Sequence, residues 1–266
     1  MRGRRMAMTI EEYHLLPFEP GWKCEYRDGC AHYSPRYHAV HTTLAIAPRR
    51  INAPCQLRPA IESDAGALVP SYMAAFGETV EYFGYSPQKT AEAARRTLRS
   101  HFAGERGKPH PASAVAVDLN PNSKQEVPIG AALVVERKSG LLLDLLFVTP
   151  TWQRHGVARA LISAVVNELH LSGEQTLTSR YHIGNERSLA WHQSCGFVEE
   201  PDLMRARLYY RAADHELWRR EQMGNLTPEE RERLNSEFQS WKSEVEKLER
   251  LEHEEGFEAV HPMSRW

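Results

Sequence analysis

The segment LLLDLLFV, Leu141 to Val148, is apolar at every position but Asp144. A run this short, apolar at odd and even positions alike, reads as a β-strand covered on both faces. After Thr149-Pro150 the spacing changes. From about Arg154 to Leu171, Val157, Leu161, Val165 and Leu169 recur every fourth residue, and Ser172-Gly173 closes the pattern as a helix end would. A second strand, QTLTSRYHI, comes next. A strand, a helix and a strand in that order predict a crossover within a sheet, and so an α/β chain.

The flanking text agrees. CQLRPA reads as a strand, and SDAGALVPSYMAAF as a helix that Ser63 or Asp64 can cap. SPQKTAEAARRTLRSHF reads as a second helix, with Ser86 as cap and Pro87 at its first position. PASAVAVDL and PIGAALVVERKSG are strands separated by the turn-rich NPNSKQE. Beyond the crossover come a short helix, NERSLAWHQSC, with Asn185 as cap, and two further strands, GFVEE and MRARLYYR. The expected fold class is α/β with a mixed twisted sheet.

Composition bounds the function. The chain has 266 residues, 41% hydrophobic and 26% charged, with a formal net charge of -2, so no overall basic field argues for nucleic acid. No apolar run approaches the roughly 18 residues of a membrane span, and the N-terminus lacks a signal-peptide core; a cytoplasmic location is expected. The four cysteines, Cys24, Cys30, Cys55 and Cys195, are too scattered for a disulfide framework. Cys24 and Cys30 with His32, His38 and His41 have zinc-ligand chemistry, but Cys-x5-Cys is wide for a structural site. The competing reading is a β-hairpin turning at Asp28-Gly29. No metal is expected.

The chain divides into three zones: 1–54 as an N-terminal, hairpin-like extension, 55–211 as the α/β domain, and 212–266 as a C-terminal helical extension. In the last, ADHELWRREQM stops at Gly224-Asn225, and Thr227, Pro228 and Glu230 form the start of a new helix with a capping box. Leu234, Phe238, Trp241, Val245 and Leu248 then trace a heptad seam. The seam is too short to impose a coiled coil. A helical hairpin docked on its own chain and a dimer both fit, so a monomer or a dimer is expected.

The site question turns on QRHGVA, Gln153 to Ala158. Gly156 would cost about 1 kcal/mol inside a helix relative to Ala. Either helix–strand packing demands it, or something approaches the bare backbone. The first turn of a helix carries free N–H groups and the positive dipole end, which suits phosphate. The motif is neither a P-loop nor a dinucleotide fingerprint.

The stretch from Cys55 to about Arg211 resembles the GNAT N-acetyltransferase superfamily. That family carries Q/R-x-x-G-x-G/A at the start of its central helix, matched here by Gln153, Gly156 and Ala158. It also has an Asn opening a short helix that ends in Gly-Phe, matched by Asn185, Gly196 and Phe197. The resemblance implies GNAT topology and an acetyl-CoA cosubstrate. It implies transfer of the acetyl group to a primary amine, on a small molecule or a peptide, by direct attack on the thioester. Pyrophosphate would lie on the turn formed by Gln153, Arg154, His155, Gly156, Val157, Ala158 and Arg159. A bulge at Leu146, Phe147 and Val148 would free backbone groups for the thioester and pantetheine, with Asn185 and Ser188 completing the cosubstrate set.

Asp144, the one charge on the buried strand and expected on the face of Leu146 and Val148, is the candidate base; a structural pairing with an Arg is the alternative. His192 stands where many members have a Tyr as thiolate acid. Arg180, Tyr181 and His182, at the exit of the next strand, are expected to line the acceptor pocket. A catalytically silent acetyl-CoA-binding sensor is the alternative function, and Asp144 and His192 discriminate the two.

Overall fold

The computed structural model describes residues 5–119 and 126–261, so the expected turn NPNSKQE falls outside the described residues at all but its last position. Its first elements are β1 (Arg5–Ala7), α1 (Ile10–His14), β2 (Trp22–Arg27), β3 (Cys30–Pro35), β4 (Ala39–Ala45) and β5 (Gln56–Pro59). Three helices come next, α2 (Asp64–Ala67), α3 (Val69–Phe76) and α4 (Pro87–Phe102). Then come β6 (Lys108–Pro109), β7 (Ala114–Leu119), β8 (Glu126–Arg137) and β9 (Gly140–Val148). The crossover is α5 (Val157–Leu171), leading to β10 (Thr176–His182), α6 (Glu186–Ser194) and β11 (Val198–Glu199). Two long helices follow, α7 (Leu203–Gln222) and α8 (Pro228–Glu255), and a short 3-10 turn, Phe257–Ala259, comes after them. The chain divides into two units. One holds Thr42–Arg180 and Ala190–Val198; the other holds the described residues of 1–41, Tyr181–Leu189, and the chain from Glu199 onward.

In the Thr42–Arg180 unit the strands run β10-β9-β8-β7-β5, with β6 against β8. Each neighbouring pair is antiparallel except β9 and β10, which are parallel and register Leu142 against Thr178. This is a mixed α/β fold with α5 joining its two parallel strands. Burial on both faces explains the apolar text of β9 around Asp144 and of β8 from Ile129 to Val135. On one face α5 packs Leu161, Ile162, Val165 and Leu169 against Ala114, Ala116, Ala132 and Val134. On the other, α2 to α4 bring Leu68, Tyr72, Ala94 and Leu98 onto Val115, Val117, Ala131 and Leu133. Odd and even residues of β7 thus serve opposite cores, and each buried Leu or Val contributes about 1.5–3 kcal/mol.

Local signals explain the helix ends. Ser86 Oγ accepts from Lys89 N at 3.2 Å, and Pro87 opens α4. Glu174 N donates to Leu169 O and Gly173 N to His170 O, a paired closure of α5 at Ser172-Gly173. The single helix expected over SDAGALVPSYMAAF is two, α2 and α3, divided at Leu68. Pro70, without an N–H, withholds the bond that would carry one helix into the next.

In the second unit β2 and β3 form the expected hairpin, with Arg27 opposite Cys30 across Asp28 and Gly29, both at positive φ. β1 adds to the far edge of β3. Among the described residues no group of three or more His, Cys, Asp or Glu could hold a metal ion. The C-terminal zone is a helical hairpin. Leu234 and Leu248 are buried, Trp241 stacks on Tyr209 at 4.8 Å between centroids, and Phe238 lies 5.1 Å from Tyr210. The seam of α8 therefore packs on α7 of the same chain.

MRARLYYR corrects the sequence reading, since it is the first part of α7 and not a strand. Asp202 caps that helix through Arg205 N at 2.9 Å, and Leu203, Ala206 and Ala213 turn inward at helical spacing. The β-propensity of Leu-Tyr-Tyr yields to this packing. Among the described residues no helix is long and apolar enough to cross a membrane.

Gly21 meets Gly184 so closely that a Cβ on Gly21 would stand 2.2 Å from the Gly184 Cα. Gly21→Ala should therefore cost about 1–3 kcal/mol, as overpacking does. Gly66→Ala, with open space around it in α2, should be neutral or gain up to about 1 kcal/mol. Thermal melts of the two variants check this; a Gly21→Ala protein as stable as the parent would refute the contact.

Candidate active site

β9 carries one residue more than its partner. Leu133 of β8 pairs with Leu145 and Val134 pairs with Leu143, so Asp144 is the extra residue of a β-bulge. The bulge expected at Leu146–Val148 thus sits earlier, at Asp144. It also shifts the phase of the strand. Leu141, Leu143, Leu146 and Val148 belong to the core under α5, whereas Leu145 and Phe147 belong to the core under α3 and α4. Asp144 points to that second side and does not share the expected face of Leu146 and Val148.

Its carboxylate is fully occupied. Arg106 Nε donates to Oδ2 at 2.7 Å and Arg106 Nη2 to Oδ1 at 2.9 Å, a two-pronged pair. His101 Nδ1 lies 3.4 Å from Oδ2 and Arg137 Nη2 3.9 Å from Oδ1. Arg106 is placed by the turn after α4, where Glu105 N returns to Ser100 O and Gly104 N to His101 O. Burial alone would push the Asp144 carboxyl up. The hydrogen bonds from His101 and Arg106, and the Arg106 charge, outweigh burial and hold it at about 2. A carboxylate so paired is a poor proton acceptor at neutral pH, and the geometry matches the structural alternative. Sequence reasoning allows for an Arg partner, but nothing in spacing singles out Arg106, 38 positions away.

The cradle lies past the end of β9. Val148 leads into a 3-10 turn, Pro150–Trp152, and α5 begins at Val157, three residues later than the pattern suggests. Arg154 and Gly156 both take left-handed backbone, at φ 63° and 88°. Gly156 is the residue before the helix, where its φ favours glycine, and a Cβ there would meet nothing within 4 Å. Packing against the sheet therefore does not demand it. Among the described residues no side chain caps the helix, and the amides of Val157, Ala158 and Arg159 have no partner within it. Arg154, His155 and Arg159 are exposed around that turn. Gln153 has a different place from the one expected: its Nε2 donates to Val148 O at 3.0 Å and its carbonyl lies 2.9 Å from His155 Nδ1. It ties the strand end to the turn.

His192, on α6, is 4% exposed, with Nε2 2.9 Å from Ser179 Oγ and the rings of Trp191 and Phe197 edge-on to it. This is the geometry of a packed histidine that fixes α6 to β10. Arg180 is half-buried, and burial first, then the neighbouring Arg137, pushes its pKa down to about 10.

In the other unit, Asn185 caps α6, its Oδ1 accepting from Ser188 N at 3.1 Å. Tyr181 is 4% exposed and packs with Val40, Ile183 and Leu208. Its hydroxyl donates to Glu199, which is paired with Arg205 at 2.8 Å. Burial and then Glu199 push the Tyr181 hydroxyl well up. Tyr181 is a core residue and not the pocket lining expected. His182 Nδ1 accepts from Gly184 N at 3.0 Å, in the turn before α6.

The family model described as "Acetyltransferase (GNAT) domain" matches residues 55–198, more than half of the chain. The chain belongs to the GNAT acetyltransferase family. Three solved structures illustrate the likeness. A Drosophila protein is 18% identical over 61% of this chain and 47% of its own, with a TM-score of 0.39. A GNAT-family protein of Desulfovibrio desulfuricans is 18% identical over 54% and 84%, at 0.41. An aminoglycoside N-acetyltransferase in complex with CoA is 19% identical over 58% and 93%, at 0.37. This GNAT chain spans about half the length of the first of them. At such values the assignment rests on the family model. No curated protein matches the chain.

Asp144→Asn tests the lock on β9. It leaves the Arg106 charge without its partner and should cost about 2–4 kcal/mol, less than a fully buried pair because Arg106 keeps 29% of its side chain exposed. The carboxyl is near 3.8 when unperturbed and about 2 here, so its stabilisation is complete above the first value and lost as pH falls through the second. Denaturant melts should show the gap between parent and variant closing over that window. Equal stability at neutral pH would refute the pairing.

Proposed function

We propose that this GNAT protein is an acetyl-CoA-dependent N-acetyltransferase that transfers an acetyl group to a primary amine, on a small molecule or a peptide, by direct attack on the thioester. The observation that carries the reading is the uncapped turn at Arg154–Arg159, with Arg154 and Gly156 in left-handed backbone, at the end of a bulged strand. The amides of Val157, Ala158 and Arg159 would hold the pyrophosphate of the cosubstrate, with Arg154 and Arg159 as flanking cations. Gln153 would keep that turn in register with the strand end.

The chemistry does not need Asp144 or His192 as proton carriers. Attack requires the free amine; as its nitrogen bonds the carbonyl carbon and the C–S bond breaks, the excess proton on nitrogen would pass to solvent or to the departing thiolate. A thiolate leaving group with a pKa near that of Cys, about 8.5, departs with little help at neutral pH. Asp144 would instead hold the bulge and Arg106 in place, and His192 would hold α6 on β10.

The same geometry favours a second reading, a catalytically silent acetyl-CoA sensor. Asp144 is tied to Arg106 and His192 is buried, so neither ionisable group from the sequence stands free to move a proton. Release of thiol from acetyl-CoA in the presence of an amine panel separates the two; a protein that binds acetyl-CoA and releases no thiol with any amine is the sensor.

The cradle has its own test. Gly156→Gln and Gly156→Glu share the same backbone strain and nearly the same bulk, and differ in charge. Calorimetry should find CoA bound at least about tenfold more weakly by the Glu variant than by the Gln variant, since a carboxylate then faces the pyrophosphate. Equal affinities in two folded variants would remove the cradle.

A further inference from the structure

The bulge gathers more positive charge than it neutralises. Arg106 already satisfies Asp144 with both prongs. Arg137, at the end of β8, donates Nε to Arg106 O at 2.8 Å, but its Nη2 stands 3.9 Å from Asp144, beyond hydrogen-bond reach. Arg180 joins from the next strand. Because Thr178 registers with Leu142 on parallel strands, Arg180 comes level with Asp144 two residues on. Leu177 packs under α5 and Ser179 bonds His192 on α6, so Arg180 points to the opposite face, the side of Asp144. Burial first, and then the neighbouring Arg137, lower the Arg180 pKa. Even with Arg180 left aside, two guanidinium groups share one carboxylate.

The cluster is accessible in part. The side chains of Arg106 and Arg137 are 29% and 28% exposed, while Asp144 beneath them is fully covered. Half-buried positive charge in excess is costly unless an anion meets it. A guanidinium presents a planar fork matched to a carboxylate. With Arg106 spent on Asp144, Arg137 is the fork left to receive one.

The geometry points to an anion subsite beside the bulge, in which Arg137 recognises a carboxylate on the acceptor. The acceptor is then an amine that carries a carboxylate, an amino acid or a carboxyl-bearing relative. This rests on the acetyl-transfer reading and names its substrate class. Asp144 sets the specificity indirectly, by anchoring Arg106 and keeping the remaining charge at one place.

The test compares amino acids of increasing amine-to-carboxylate spacing, each with its own primary amide, as acceptors for the full-length protein. At one spacing or more, kcat/KM for the acid should exceed that for the amide by about ten- to a hundredfold, the worth of a hydrogen bond to a charged group. Arg137→Gln should bring the acid down to the level of the amide, chiefly through KM, and Arg137→Lys should restore part of the difference. Calorimetry of the same acids and amides with the CoA complex provides a readout independent of turnover. Acids and amides treated alike at every spacing, in binding and in turnover, would overturn the subsite, as would an Arg137→Gln protein that keeps the preference. If CoA is bound but the carboxylate is ignored, only the subsite falls. If CoA is not bound at all, the acetyl-transfer reading falls and takes the subsite with it.

Discussion

One extra residue in β9 organises the central unit. Without the bulge at Asp144, the strand would keep a single alternation from Leu141 to Val148, and Leu145 and Phe147 would lie under α5. With it, Leu143 and Leu146 both face α5, and Leu145 and Phe147 join the core of α3 and α4. The extra residue would be a weak point in the ladder, since its backbone is not paired in register. The two-pronged hold of Arg106 on Asp144 compensates by fixing the side chain from the helix side. The bulge is therefore tied to the turn after α4, and the strand end inherits its direction from an ion pair.

The turn beyond β9 depends on that direction. Val148 O is the acceptor for Gln153, so the position of the turn is set by the strand end and not by the helix. Arg154 and Gly156 then take left-handed backbone, which delays the helix to Val157 and leaves its first amides uncapped. The delay has an energetic meaning. A non-glycine residue at positive φ, as at Arg154, costs of order 1–3 kcal/mol and persists only where its surroundings hold it. Here the bond from Gln153 on one side and the buried Val157 on the other do so. Phosphate binding would return some of that cost, which is a reason for the strain to lie at this turn rather than in a surface loop.

Much of the architecture is legible in the sequence of the chain. The Asp28-Gly29 hairpin, the caps at Ser86 and Thr227 and the closure at Ser172-Gly173 are local signals, decided within a few residues. So is the buried strand, because a covered β9 has no polar face to show. The rest depends on partners distant in sequence. Nothing near LLLDLLFV says which residue bulges, since that is decided by the register with β8. Asp144 reads equally as a base or as a paired carboxylate, and the deciding group, Arg106, lies in a turn with no motif. MRARLYYR looks like a strand because its residues favour strands, yet the cap at Asp202 and inward positions at helical spacing govern it. Tyr181 is assigned to a pocket by its position at a strand exit, where the alternation of β10 turns it into a core instead.

The cationic surroundings bear on how an amine could react without a dedicated base. An ammonium group brought near Arg106, Arg137 and Arg180 would meet like charge in a half-buried place, which favours its neutral form. The neutral form is the nucleophile. A carboxylate on the same acceptor would offset part of this repulsion, yet it would be held at Arg137, leaving the amine at a distance set by its own chain. Such an arrangement would draw in the acceptor by its negative end and favour loss of the proton at its positive end to solvent. The effect is electrostatic and needs no proton transfer to Asp144, whose carboxyl is already committed. On this view the arginines would raise the free-amine fraction while the cradle at α5 would hold the other reactant.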